Sequence, residues 1–148
     1  MTATVGSDLW TDPDHSPSAV AALAATRATT FIRAQVMALR RALAWAGDRI
    51  AVDIVITAHD LSHERWVRVV NHVRTHLGED AGLQVSAVYQ WVGHTAQSLE
   101  NGAIDLLDAD LATRAREVAS SHLDAVAEQA VEALWRIAAE FDASPDGV

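Results

Sequence analysis

One apolar repeat constrains the fold of this chain more than any other feature of its sequence. Eight positions recur at alternating spacings of four and three residues, and we call them the heptad seam: Val52, Ile56, His59, His63, Trp66, Val70, Val73 and Leu77. This spacing places all eight side chains on one face of an α-helix. The seam predicts a single helix from about residue 49 to residue 77, capped by Asp48 and ended by Gly78.

The beginning of this segment also fits a β-strand. Over residues 50–57, isoleucine and valine alternate with other residues, and β-branched residues have poor helix propensity. In this alternative, residues 50–57 and 83–92 are two strands of a small βαβ unit. Because a repeat of eight positions is stronger evidence than an alternation of four, we prefer the helix.

Helical spacing continues through the rest of the chain. Together with stop signals such as glycine, it predicts further helices over about residues 17–46, 81–100 and 103–141. At 1.5 Å per residue the last helix would be roughly 60 Å long, which exceeds the width of a compact domain of this size. We therefore expect it either to break near Asp108–Asp110 or to extend into a dimer.

These segments together predict an all-α fold. The expected architecture is a four-helix bundle with long second and fourth helices, in a homodimer or larger homo-oligomer. The 148 residues suit one domain. We place the bundle at residues 16–142, between a flexible N-terminal tail at 1–15 and a C-terminal tail at 143–148, since both ends are rich in Asp, Ser, Pro and Gly.

Two residue types are absent, and their absence excludes several kinds of chemistry. Without cysteine there are no disulfides, thiolate nucleophiles or zinc ribbons, and without lysine there is no Schiff-base or P-loop chemistry. No catalytic residue is predicted. The first residues carry acids and no arginine, unlike a secretory signal, and no apolar run is long enough to span a membrane. We expect a cytoplasmic protein, and the alanine-rich, lysine-free composition is typical of a high-GC bacterial genome.

The charge of the chain is both acidic and unevenly distributed. A net charge of −9 disfavours nucleic acid and anionic membranes as partners. Eight of the eleven arginines lie in residues 27–76, whereas residues 77–148 hold thirteen of the twenty acids. This separation predicts basic helices packed beside acidic ones, within the chain or across a dimer. A site for an anionic ligand is the alternative.

Three histidines are candidates for a metal site. His59 and His63 stand four residues apart on the heptad seam, and His122 could supply a third ligand from another helix. We favour a structural interpretation, in which His59 and His63 are buried and their hydrogen bonds fix the register of the helices. No cofactor is therefore predicted, and a metal- or haem-binding bundle, or a small enzyme built on it, is the alternative.

A second pair of histidines lies off the seam, beside two arginines. Arg65, Arg68, His72 and His76 form a predicted basic stripe that becomes more positive below about pH 6.5. The preferred interpretation is a solvated face or one that pairs with acidic side chains. The alternative is a binding face for an anion or an acidic partner.

Four tryptophans lie within the predicted helices: Trp45, Trp66, Trp91 and Trp135. Such rings usually anchor a core, but they also line pockets for planar ligands. The leading functional hypothesis is a non-enzymatic helical interaction or ligand-sensing module that self-associates. The alternatives are the metal- or haem-binding bundle and a binding protein or cofactor-free enzyme for a small apolar, planar metabolite in a Trp-lined pocket.

Overall fold

The computed structural model describes residues 16–45, 48–102 and 109–143. Throughout these ranges the regular structure is helical, which confirms the all-α prediction. The helices are α1 (Pro17–Ala44), α2 (Arg49–Leu61), α3 (His63–Leu77), α4 (Glu79–Glu100) and α5 (Ala109–Ala143). The strand alternative is wrong, because residues 50–57 and 83–92 both lie inside helices. No helix in the described ranges is long and apolar enough to cross a membrane.

Side chains cap the first turns of α1 and α2, and Asp48, which caps α2, is the predicted residue. The Ser16 hydroxyl accepts a hydrogen bond from the backbone N–H of Ala19, and Pro17 opens the first turn of α1. The Asp48 carboxylate accepts from the N–H groups of Ile50 and Ala51 at the start of α2. These bonds satisfy backbone donors that a helix leaves without internal partners.

The predicted single helix over residues 49–77 is wrong, because Ser62 divides it into α2 and α3. The Ser62 hydroxyl and backbone N–H both donate to the carbonyl oxygen of His59, at 2.6 and 3.0 Å. This i to i+3 bond tightens the last turn of α2 and ends it. The seam nevertheless keeps its phase across the break, and Val52, Ile56, Trp66, Val73 and Leu77 are all buried.

Trp66 lies at the centre of the core and is fully buried. Its ring meets Phe31 of α1 at a centroid distance of 4.8 Å and stacks on Tyr89 of α4 at 5.1 Å. The first helix is central to the fold, since α1 contacts each of the other four helices. The aromatic trio of Phe31, Trp66 and Tyr89 therefore joins three helices at one point.

The apolar spacing of the last helix, which includes Leu111, Val118, Ala130 and Leu134, predicts its inward face only in part. Leu111 and Val118 are 48% and 68% exposed, so their predicted burial is wrong. Ala130 and Leu134 are buried as predicted, and small residues such as Ala127 and Ala138 fill much of the rest of this interface. The predicted start near Ala103 and Asp108, the first residue of the predicted break at Asp108–Asp110, lie outside the described residues, as do the tail at 1–15 and residues 144–148.

Ion pairs join the basic first helix to the acidic last one. Arg33 pairs with Glu128 through two hydrogen bonds, at 2.8 and 3.0 Å, and Arg40 lies 3.4 Å from Asp124. The basic-beside-acidic arrangement expected from the charge distribution thus occurs within the chain. All four side chains are about half exposed, so each pair contributes little to stability.

Candidate anion-binding groove

A groove of about 520 Å³ lies between α1 and α3. Its lining comprises Arg27, Ala28 and Phe31 from α1, and Arg65, Arg68, Val69, Asn71 and His72 from α3. The α1 residues span one helical turn, and four of the α3 residues recur at helical spacing on one face. The contact between Phe31 and Trp66 holds α3 against α1 beside this groove.

The floor of the groove is apolar and its rim is basic. Ala28 is buried, and Phe31 and Val69 are half-buried and pack against the core. The side chains of Arg27, Arg65 and Arg68 are exposed around this floor. The guanidinium carbon of Arg65 lies 5.6 Å from the centroid of the Phe31 ring, a cation–π contact that holds this arginine over the floor.

The three arginines of the groove have no acidic partner in the described part of the chain. The ion pairs there belong to Arg33, Arg40, Arg49 and Arg74. Among the described residues, neither Asp nor Glu lines the groove. The groove is therefore locally positive on a strongly acidic protein, and its like charges repel one another.

His72 is half-buried at the edge of the groove. Burial lowers the pKa of its imidazole, and the electrostatic influence of the nearby His76 and Arg27 lowers that pKa further. The His72 and His76 rings meet nearly edge to face, with centroids 4.5 Å apart. Because the pKa of His72 lies below its ordinary value of about 6.5, the imidazole is mostly neutral at pH 7, and the three arginines supply the charge.

The spacing of residues in the sequence predicts the α3 side of this groove but not the α1 side. Of the four residues of the predicted basic stripe, Arg65, Arg68 and His72 line the groove. The fourth, His76, packs against His72. Arg27 and Phe31 were not predicted as site residues. They lie more than 30 residues upstream, and only the packing of α1 on α3 brings them to the site.

The predicted histidine pair does not share one environment. Nδ1 of His59 is buried and has no hydrogen-bond partner in the described residues, and burial is the main cause that lowers the pKa of His59. His63 is exposed, so its predicted burial is wrong, and its Nδ1 hydrogen-bonds to the hydroxyl of Tyr89. His122 is exposed on α5, and the centroid of its ring lies 4.4 Å from the centroid of the Trp91 ring. In residues 16–45, 48–102 and 109–143, no three His, Asp or Glu side chains are arranged to hold a metal ion.

The four tryptophans are also dispersed. Trp66 is in the core, whereas Trp45, Trp91 and Trp135 are between 40% and 58% exposed. The Trp135 indole N–H donates to the Thr29 hydroxyl at 3.1 Å. Within the described ranges no Trp ring contacts another, and none of these four residues lines the groove between α1 and α3.

Comparisons with protein-family models, curated proteins and solved structures returned no match.

Proposed function

We propose that the protein is a non-enzymatic ligand-binding module and that the groove between α1 and α3 binds an anionic ligand. One observation carries this proposal: Arg27, Arg65 and Arg68 line one groove, and no acidic side chain is among the described residues that line it. This occurs in a chain with twenty acidic residues and eleven arginines. Three guanidinium groups close together without an acidic partner repel one another, and a bound anion would reduce this repulsion.

Guanidinium groups suit this role. Each presents several N–H donors in a planar fork that matches an oxyanion, and hydrogen bonds to charged groups contribute about 1.5–3 kcal/mol each. The groove also lies on two helices joined through the core, which keeps its walls in place. An anion there would relieve the repulsion among the arginines and accept hydrogen bonds from several sides.

We also propose that the protein self-associates through the outer face of α2. Ile50, Ile54 and Leu61 form a row at helical spacing and are 75%, 65% and 77% exposed. The occupant we propose is a second copy of the chain, because a row along one helix is self-complementary when two α2 helices pair antiparallel about a two-fold axis. Ile50 and Ile54 of each subunit would then be covered by the same row of the other. If α2 and α3 are counted as one helix interrupted at Ser62, each subunit would be a four-helix bundle.

A thermal-shift comparison tests the ligand-binding proposal. The wild type, the groove variant Arg27→Gln/Arg68→Gln and the control Arg114→Gln/Arg136→Gln are screened against small organic carboxylates and phosphates. The control removes two charges from exposed arginines of α5. At 100 times its Kd, a ligand should stabilise the wild type and the control by about 2.7 kcal/mol, and the groove variant should lose this gain. Equal stabilisation of all three proteins would contradict the proposal.

A further inference from the structure

We infer that the ligand of the groove is a small aromatic oxyanion, with a flat apolar body on the floor and its charged group against the arginines. This inference rests on the function proposed above and adds the chemical class of the ligand. It follows from the volume of the groove, the chemistry of its floor and the charge of the whole chain.

The volume excludes a simple ion as the ligand that fills the site. At about 520 Å³ the groove falls within the range of roughly 300–1,000 Å³ in which proteins bind small organic molecules. Phosphate or acetate would occupy a small part of it and leave the apolar floor in water. A ligand that uses the whole groove must therefore bring apolar surface as well as charge.

The floor favours a flat ring. Phe31 and Val69 offer apolar surface, and the Arg65 guanidinium already lies over the Phe31 ring. Guanidinium planes stack on aromatic faces and hydrogen-bond oxyanions through their edges. An aromatic ring in the groove would therefore contact the floor and the arginine stems, while its oxyanion met the guanidinium edges.

The overall charge favours a ligand of low charge. A net charge of −9 repels a polyanion such as nucleic acid or a strongly acidic peptide at long range. A ligand with one or two negative charges is repelled much less and still meets three cations in the groove.

A second groove shows that arginines alone do not produce this arrangement. It measures about 460 Å³ and lies between α1 and α5, where its lining includes Arg40, Arg41 and Arg116. That lining also contains Glu117, and Arg40 hydrogen-bonds to Ser120 and pairs with Asp124. Its charge is thus partly neutralised from within, unlike that of the groove between α1 and α3.

Calorimetric titration of the wild type with four probes tests the ligand class. The probes are 2-naphthoate, the neutral 2-naphthylmethanol, acetate and inorganic phosphate. We expect 2-naphthoate to bind at least about ten-fold more tightly than each of the others, because only it uses both the floor and the rim. In Val69→Thr, which makes the floor polar at nearly constant volume, 2-naphthoate should bind about three-fold more weakly, whereas phosphate should bind as in the wild type.

Each other outcome has a defined meaning. Acetate or phosphate binding as tightly as 2-naphthoate would overturn the aromatic class and leave an anion-binding function intact. Equal binding of 2-naphthylmethanol would show that charge is not recognised, which would overturn both proposals. Binding of none of the probes would overturn the class, and the comparison of the groove and control variants in the thermal-shift screen would decide the function separately.

Discussion

Phe31 on α1 and Trp66 on α3 meet with ring centroids 4.8 Å apart and ring planes inclined at 74°. This edge-to-face geometry is a favourable one for aromatic pairs. Phe31 also lines the groove and lies 5.6 Å from the Arg65 guanidinium carbon. One side chain therefore connects the centre of the core to the proposed binding site, so changes in the core around Trp66 should also alter the groove.

Replacing Trp66 with alanine should destabilise the fold by about 3–5 kcal/mol, since the mutation removes a fully buried aromatic ring. Urea unfolding measures the loss. Trp45→Ala is the matched control, because Trp45 is 58% exposed and its removal should cost less than about 1 kcal/mol. Similar losses in the two variants would show that Trp66 is not the centre of the core.

Two glycines should respond to alanine with opposite signs. Gly78 joins α3 to α4 with φ +101° and ψ 175°, a conformation essentially restricted to glycine, so Gly78→Ala should cost about 1–3 kcal/mol. Gly93 lies inside α4, where an added Cβ meets no described heavy atom within 4 Å, so Gly93→Ala should gain about 0.5–1 kcal/mol. Thermal unfolding of both variants checks the pair, and a stabilised Gly78→Ala would refute the turn geometry.

The half-buried imidazole of His59 should make stability fall in acid. Burial lowers the pKa of His59 in the folded state below the unfolded value of about 6.5. The native state then binds fewer protons than the unfolded state, so stability is lost from about pH 6.5 downward until the folded pKa is passed. Unfolding free energies measured between pH 8 and pH 5 should decline less steeply in His59→Gln. The exposed His94→Gln should keep the wild-type slope, and a wild-type slope in His59→Gln would contradict the assignment.

Self-association should depend on the outer face of α2. Light scattering should give a dimer for the wild type and a monomer for Ile50→Glu/Ile54→Glu, because the carboxylates would be forced into an apolar interface. Val118→Glu is the control, since Val118 is 68% exposed on α5 and should leave the dimer unchanged. A wild type that stays at the monomer mass over a wide concentration range would exclude the proposed interface.

The helices were predictable because apolar spacing and capping are local properties of the sequence. The break at Ser62 was not predicted, since it leaves the heptad seam in phase on both sides. The inward face of α5 was predicted only in part, for another reason. Alanines such as Ala127 and Ala138 fill its core face, whereas the larger Leu111 and Val118 lie outside, so hydrophobic size does not indicate the phase.

Only the α3 side of the groove could be predicted from the sequence. Arg65, Arg68 and His72 share a face of α3, and their spacing is visible in the sequence. Arg27 and Phe31 join them through tertiary packing, and no local pattern marks either residue. The different burial of the half-buried His59 and the exposed His63 was not predictable for a similar reason, since the spacing places both on the seam and tertiary packing decides which of them is covered.

The most direct test of the proposed site is to locate the ligand on the protein. Amide chemical shifts of the 15.9 kDa chain are recorded by NMR during titration with 2-naphthoate. If the groove is the site, the largest changes should fall at residues 27–31 and 65–72, and they should disappear in Arg27→Gln/Arg68→Gln but not in Arg114→Gln/Arg136→Gln. Changes centred instead on the exposed face of α2 or on α5, and unaffected by the groove variant, would contradict the assignment of this groove as the binding site.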